Sequence, residues 1–186
     1  MTLNYGELKR GTSVELDGEP YSVVEYEHSK MQGRGAVMKI RFRSLRTGKI
    51  MDKTFQGDVK FSLAQVDRRK AQYIYRDSDL YYFMDTESFE QFPMNEDQIK
   101  ESLKFMKEQI ELDMIFFKDN PIALELPLNV DLKVTNSPPG VKGDTAQGAS
   151  KLATLETGLE ISVPLFVNEG DVVKVDTRSG EYLSRA

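Results

Sequence analysis

Val37-Met38-Lys39-Ile40-Arg41-Phe42-Arg43 decides the fold. Side chains of a strand alternate between its two faces, so Met38, Ile40 and Phe42 share one face while Lys39, Arg41 and Arg43 share the other. One face is core and the other is a basic stripe. Beyond this strand, Thr47-Gly48 turns the chain back into a second run from Ile50 to Phe55. Ahead of it, Ser13-Val14-Glu15-Leu16 alternates, Asp17-Gly18 supplies a hairpin turn with glycine for the positive φ, and Tyr21, Val23 and Val24 resume the apolar run. Together these segments predict a small, strongly curved all-β module of about 60 residues.

The rest of the chain also reads as short strands. Ala71 to Tyr75, the Asp77-Ser78-Asp79 turn and Leu80 to Met84 form a hairpin. Its Tyr73, Tyr75, Tyr81 and Tyr82 are readable as a base-stacking platform, but aromatic residues in strands usually pack, and the acidic surroundings argue against nucleic acid. One helix is predicted, with Asn95 as N-cap, Gln98 three residues later, and Ile99, Leu103, Met106 and Ile110 along one face. Strand patterns return at Leu112 to Phe116, Ile122 to Leu126 and Val130 to Val134, with Asp119-Asn120-Pro121 as a turn. Ser137-Pro138-Pro139-Gly140 and the small polar residues from Gly143 to Ser150 suit a long surface loop, followed by strands at Gly158 to Val163 and Val172 to Val175.

Charge is unevenly spread along the 186 residues, whose net charge is −5. Residues 1–65 hold 11 basic and 8 acidic side chains, residues 66–128 hold 8 and 14, and residues 129–186 hold 6 and 8. Within the first segment, residues 30–60 hold 9 basic against 2 acidic. An acidic chain with one concentrated basic module is the electrostatic footprint expected when one region faces phosphate and the rest stays soluble.

Composition narrows the chemistry. Zero cysteines excludes disulfides, thiolate metal sites and cysteine nucleophiles. The single histidine, His28, excludes a multi-histidine metal centre. No carboxylate is set apart by its context, and no Walker or dinucleotide glycine pattern is present. Nothing reads as an enzyme, a cofactor site or a metal site. The N-terminus lacks the apolar core of a signal peptide and no stretch is long enough to span a membrane, so the cytoplasm is the expected compartment.

Between the strand ending near Glu27 and the one starting near Val37 lies His28-Ser29-Lys30-Met31-Gln32-Gly33-Arg34-Gly35-Ala36. An arginine between two glycines at a hairpin tip has no neighbouring bulk to pack on, so its guanidinium projects beyond the module. On spacing alone a solvated turn residue is the simpler reading, since Gly-X-Gly is a weak motif.

The chain resembles bacterial translation elongation factor P. The resemblance is carried by Leu16-Asp17-Gly18-Glu19-Pro20-Tyr21, the Gly-basic-Gly tip, Leu45-Arg46-Thr47-Gly48 and Glu87-Ser88-Phe89-Glu90-Gln91. It is closer still in Pro139-Gly140-Val141-Lys142-Gly143-Asp144-Thr145, Lys151 to Gly158, Val163-Pro164-Leu165-Phe166-Val167 and Val175 to Tyr182. It implies three small β-barrel domains: an SH3-like, KOW-like barrel over residues 1–65, then oligonucleotide-binding (OB) barrels over 66–128, with the short helix, and over 129–186. It also implies a monomeric factor, not an enzyme, that binds the ribosome between the peptidyl and exit sites, contacting ribosomal RNA, ribosomal proteins and the peptidyl-site tRNA. There the family accelerates peptide-bond formation when consecutive prolines stall synthesis.

By the same resemblance Arg34 is the tip residue near the reacting centre and the position a modifying enzyme would act on. Lys30, Met31, Gln32, Gly33 and Gly35 complete its loop. Lys39, Arg41 and Arg43, with Arg178 and Tyr182 of the Asp176 to Tyr182 block, are the expected RNA contacts, although a routine surface hairpin explains the latter block equally well. Many members carry lysine at the tip, in a Lys-Pro-Gly-Lys-Gly context, and attach β-lysine to it; another branch carries arginine and attaches rhamnose. The stretch here is Lys30-Met31-Gln32-Gly33-Arg34-Gly35, which departs from the lysine pattern and leaves Lys30 as an alternative acceptor. An elongation-factor-P-like paralogue is the alternative within the fold. A generic RNA-binding barrel protein is the alternative outside it, which the acidic second and third segments fit poorly.

Overall fold

A computed structural model describes residues 2–29, 37–57, 59–139 and 150–186. The first sheet contains β1 (Thr2–Asn4), β2 (Ser13–Leu16), β3 (Glu19–Ser29), β4 (Val37–Ser44), β5 (Ile50–Gln56) and β6 (Lys60–Leu63). The second contains β7 (Val66–Asp77), β8 (Leu80–Asp85), β9 (Gln91–Asn95), β10 (Glu111–Phe117) and β11 (Asn120–Glu125), with helix α1 (Glu96–Leu103) between β9 and β10. The third contains β12 (Asn129–Asn136), β13 (Ser150–Leu155), β14 (Glu160–Pro164), β15 (Val172–Asp176) and β16 (Tyr182–Arg185). Their orders are β1-β6-β2-β3-β4-β5, β11-β10-β7-β8-β9 and β14-β13-β12-β15-β16. The chain adopts the expected all-β class, and among the described residues α1 is the one α-helix, beside a single 3-10 turn at Tyr5–Glu7.

Two compact units are resolved, residues 1–69 with 114–123 and residues 70–113 with 124–186. In the first, alternation along β4 sets the core: Met38, Ile40 and Phe42 are buried and Lys39, Arg41 and Arg43 exposed. Leu8, Val14, Val23 and Phe61 close over the buried trio. Phe42 takes Tyr21 and Phe55 edge-on at 6.3 and 6.2 Å between ring centres, and Phe55 meets Phe61 at 5.1 Å. Edge-to-face rings favour each other beyond the area they bury. A satellite cluster in the same unit packs Ala64, Ile115, Phe117 and Ile122 with Leu45, Val66 and Ala123.

The β2–β3 hairpin is closed by Asp17 and Gly18 at φ of 54° and 83°, the paired left-handed conformations of the tight turn that the sequence predicts. In the second unit, α1 begins as expected. Asn95 accepts from the Gln98 N–H while the Gln98 side chain accepts from the Asn95 N–H, both at 3.0 Å. It ends at Leu103, however, short of the predicted reach to Ile110. Phe105, Met106 and Ile110 donate to carbonyls three residues back, and Gln109 takes a φ of 64°, so Met106 and Ile110 reach the core through tight turns. The spacing reported burial correctly and helix length wrongly. The short strands β1, β6, β9 and β13 carry no periodicity of their own strong enough to predict; their partners create them.

Three six-residue turns share one hydrogen-bond plan, at residues 44–49, 85–90 and 176–181. The first residue's N–H donates to the sixth carbonyl and its carbonyl accepts the fifth N–H, all at 2.8 to 2.9 Å. The first side-chain oxygen accepts the fourth N–H, at 3.1 Å for Ser44, 3.0 Å for Asp85 and 3.2 Å for Asp176. The fourth hydroxyl, of Thr47, Ser88 or Ser179, accepts the sixth N–H at 3.3 to 3.4 Å. The fifth position is left-handed in each, with φ of 70° at Gly48, 59° at Phe89 and 75° at Gly180.

Phe42 is the centre of the first core, so Phe42→Ala is expected to destabilise the chain by about 3–5 kcal/mol. Urea unfolding followed by tyrosine fluorescence measures this, and a loss below about 1 kcal/mol would show that the ring cluster is not the module's keystone.

Candidate nucleic-acid interface

β3 and β4 pair in register along most of their length, with one irregularity between Val23 and Glu25, and their last pair is Ser29 with Val37. The tip residues Lys30, Met31, Gln32, Gly33, Arg34 and Gly35 lie outside the described residues. The strands that bear them do not. The long loop predicted around residues 137–150 is likewise outside the description from 140 to 149, and Ser150 already opens β13.

The basic stripe lies on the exposed face of β4, but its charges have company. Arg41 sits between Glu25 of β3 and Asp52 of β5 in the sheet register. Its guanidinium forks onto Asp52 at 2.9 and 3.3 Å and reaches Glu25 at 3.4 Å. Lys39 lies 3.8 Å from the same Asp52 and stands opposite Glu27. The hydrogen bond from Arg41 holds the Asp52 carboxyl below its ordinary range, and the same bond raises the Arg41 pKa. Arg43, opposite Ser22 and Ile50, has no ion-pair partner among the described residues.

This face is therefore a ladder of alternating charge with one uncompensated cation at its end. Exposed ion pairs of this kind add little stability, so a phosphate can replace a carboxylate at small cost. Sequence reading missed Glu25, Glu27 and Asp52 as partners. The β4–β5 turn is centred on Arg46-Thr47, one residue before the predicted Thr47-Gly48, and that centre sets Arg41 across from Asp52.

At the β4–β5 turn, a groove of about 390 Å³ is lined by Tyr21, Ile50 and Met51 together with Glu19, Ser44, Arg46, Thr47 and Lys49. Arg46 is tied to Glu19 of β3 at 2.9 Å. In the second unit, the exposed Arg178 forks onto Asp176 at 2.9 and 3.4 Å, while the Arg178 and Ser179 N–H groups donate to the same carboxylate at 2.8 and 3.2 Å. Tyr182 is half-buried across from Val175. Arg178 is thus presented on a turn whose geometry is fixed by its own counter-charge. Of the four tyrosines weighed as a stacking platform, Tyr73 and Tyr81 are buried, and Tyr75 and Tyr82 stack on each other at 4.7 Å.

Among the described residues, no group of three or more histidine and carboxylate side chains could hold a metal, and no helix is long and apolar enough to cross a membrane.

Family models match in order along the chain: the elongation factor P KOW-like domain over residues 4–61, the elongation factor P OB domain over 66–124 and the elongation factor P C-terminal model over 130–185. Elongation factor P of Carboxydothermus hydrogenoformans is 45% identical over 183 residues, covering 98% of this chain and 99% of that one. Its counterpart in Clostridioides difficile is 44% identical over 180 residues, covering 97% of each. Among solved structures, eukaryotic translation initiation factor 5A from Methanococcus jannaschii aligns with a TM-score of 0.53 at 23% identity, over 65% of this chain and 90% of that one, which supports the fold alone. A KOW-like domain, an OB domain and a C-terminal domain of one family of translation factors thus follow one another along the chain. The chain belongs to the elongation factor P family, and it is a translation elongation factor.

The Asp176 carboxyl is held at about 2, below the ordinary 3.8, chiefly by the Arg178 side chain and then by its N–H. Stability from this contact is present above the ordinary aspartate range and is lost as pH falls through about 2. Carboxyl NMR titration should find that midpoint. Arg178→Ala should raise it while leaving it below ordinary, because the two N–H donors remain; an unmoved midpoint would remove the guanidinium as the cause.

Proposed function

We propose that this factor binds the ribosome between the peptidyl and exit sites, lies along the peptidyl-site tRNA and stimulates peptide-bond formation at consecutive prolines. Arg34 is the residue that acts nearest the reacting ends. Proline is a constrained nucleophile and a rigid donor, so a poorly oriented tRNA terminus loses rate, and restoring a near-attack geometry recovers it with no acid or base from the factor. A guanidinium beside the terminal nucleotides supplies charge-assisted contacts to phosphate or sugar oxygens. The factor works as a cytoplasmic monomer of three modules, residues 1–65, 66–128 and 129–186, and leaves the reaction to ribosomal RNA.

What carries the reading is that Gly33-Arg34-Gly35 falls between two long paired strands, Tyr21 to Ser29 and Val37 to Ser44, in a chain with family relatives over nearly its whole length. Lys39, Arg41 and Arg43 on the exposed face of β4, with Arg178 and Tyr182, are the RNA contacts. The tip loop of Lys30, Met31, Gln32, Gly33 and Gly35 shapes the approach. Arg34 is either unmodified or bears a sugar on its guanidinium, and intact mass with peptide mapping of native protein distinguishes these from an aminoacyl adduct on Lys30.

Arg34→Ala is expected to abolish rescue of diprolyl and triprolyl synthesis in a reconstituted translation assay while ribosome affinity falls only modestly, because the tip is one contact among many. Full rescue by the alanine variant would overturn the assignment. For the stripe, Arg43→Ala should lower the log–log salt slope of ribosome or tRNA binding by about one unit, whereas a merely solvated arginine leaves slope and affinity unchanged.

A further inference from the structure

The three equivalent turns differ in what they present. At the third position stand Arg46 and Arg178, each held by a carboxylate, Glu19 and Asp176, but in the turn at 85–90 that position is Glu87. At the left-handed fifth position stand Gly48 and Gly180, but in this turn it is Phe89. An L-residue with a bulky side chain is disfavoured in that conformation, and glycine is not.

The phenyl group does nothing for the core in return. Its relative exposure is 70%, the highest of the large hydrophobic side chains among the described residues. It makes no ring contact with any described aromatic or cationic side chain, and Glu87 and Glu90 beside it have no ion-pair partner among the described residues. Backbone strain of this kind persists only where the surrounding structure holds it, which Asp85 does here: it is buried and accepts the Glu87 and Ser88 N–H groups at 2.8 and 3.0 Å.

We propose that Phe89 is a docking anchor that seats in an apolar socket on a basic protein surface, with Glu87 and Glu90 engaging the cations around that socket. Charge complementarity selects this occupant. Two unpaired carboxylates flank the ring, and the segment from 66 to 128 carries 14 acidic against 8 basic residues, which repels phosphate and attracts a cationic protein. An aromatic anchor with a polar rim is the usual composition of an energetic centre in a protein interface. The proposal rests on the reading that the factor works on the ribosome, and the socket belongs to a basic ribosomal protein.

Phe89→Gly separates anchoring from structure. The expected result is a melting temperature unchanged or raised by a few degrees, because glycine relieves the left-handed position, together with a loss of about tenfold in affinity for purified ribosomes. A structural role predicts the reverse, lower stability with affinity intact. In parallel, p-benzoyl-phenylalanine placed at position 89 of the full chain and irradiated on purified ribosomes should give a protease-sensitive, ribonuclease-resistant adduct to one basic protein. A ribonuclease-sensitive adduct, or binding indifferent to Phe89→Gly, overturns the proposal alone. If the unsubstituted chain does not bind ribosomes, the ribosome reading falls and the anchor falls with it.

Discussion

Burial of Met38, Ile40 and Phe42 on one face of a single strand is the constraint on which the first module depends. A slip of one residue would carry all three into solvent and bring Lys39, Arg41 and Arg43 into the core, so the register has no near competitor. Once β4 is fixed against Leu8, Val14, Val23 and Phe61, its pairing with β3 follows to the last residues, Ser29 and Val37. Packing at one end of the module thereby determines where the two strands deliver the segment containing Arg34.

Electrostatics on the opposite face follow from the same register. Arg41 meets Glu25 and Asp52 because those residues are its cross-strand neighbours. Such exposed pairs add little stability, yet they neutralise a surface that the charge count alone presents as strongly cationic. Free in solution, the stripe is screened by its own carboxylates. Against a polyanion, the cations have an alternative partner, and the release of counterions favours the exchange.

The strands with strong alternation, β2, β4, β12 and β15, were legible because half-burial writes itself into a period of two. The short strands β1, β6, β9 and β13 were not, since their pairing is imposed by neighbours. Asn95 and Gln98 announced where α1 starts, while its end depended on turns at Phe105 and Gln109 that the spacing of Ile99, Leu103, Met106 and Ile110 does not encode. The cationic residues of the candidate interface were read directly. Their acidic partners were overlooked because charges were counted along the chain and not across the hairpins. The kinship of Asp85-Thr86-Glu87-Ser88-Phe89-Glu90 with Asp176-Thr177-Arg178-Ser179-Gly180-Glu181 was also visible in the residues, but its meaning came only from the shared hydrogen bonds and from the φ of Phe89.

On the proposed function, this chain supplies geometry and charge while the ribosome supplies the reaction. Arginine does not titrate in the accessible range, so the contribution proposed for Arg34 has no protonation step. The most direct measurement is the pH dependence of the acceleration: single-turnover transfer from a diprolyl donor to proline, with and without the factor, between about pH 6 and 8. The reaction itself will respond to pH. Positioning predicts that the ratio of the two rates stays constant across that range, whereas a ratio that rises or falls through a distinct midpoint would show that the factor moves a proton and would contradict the account.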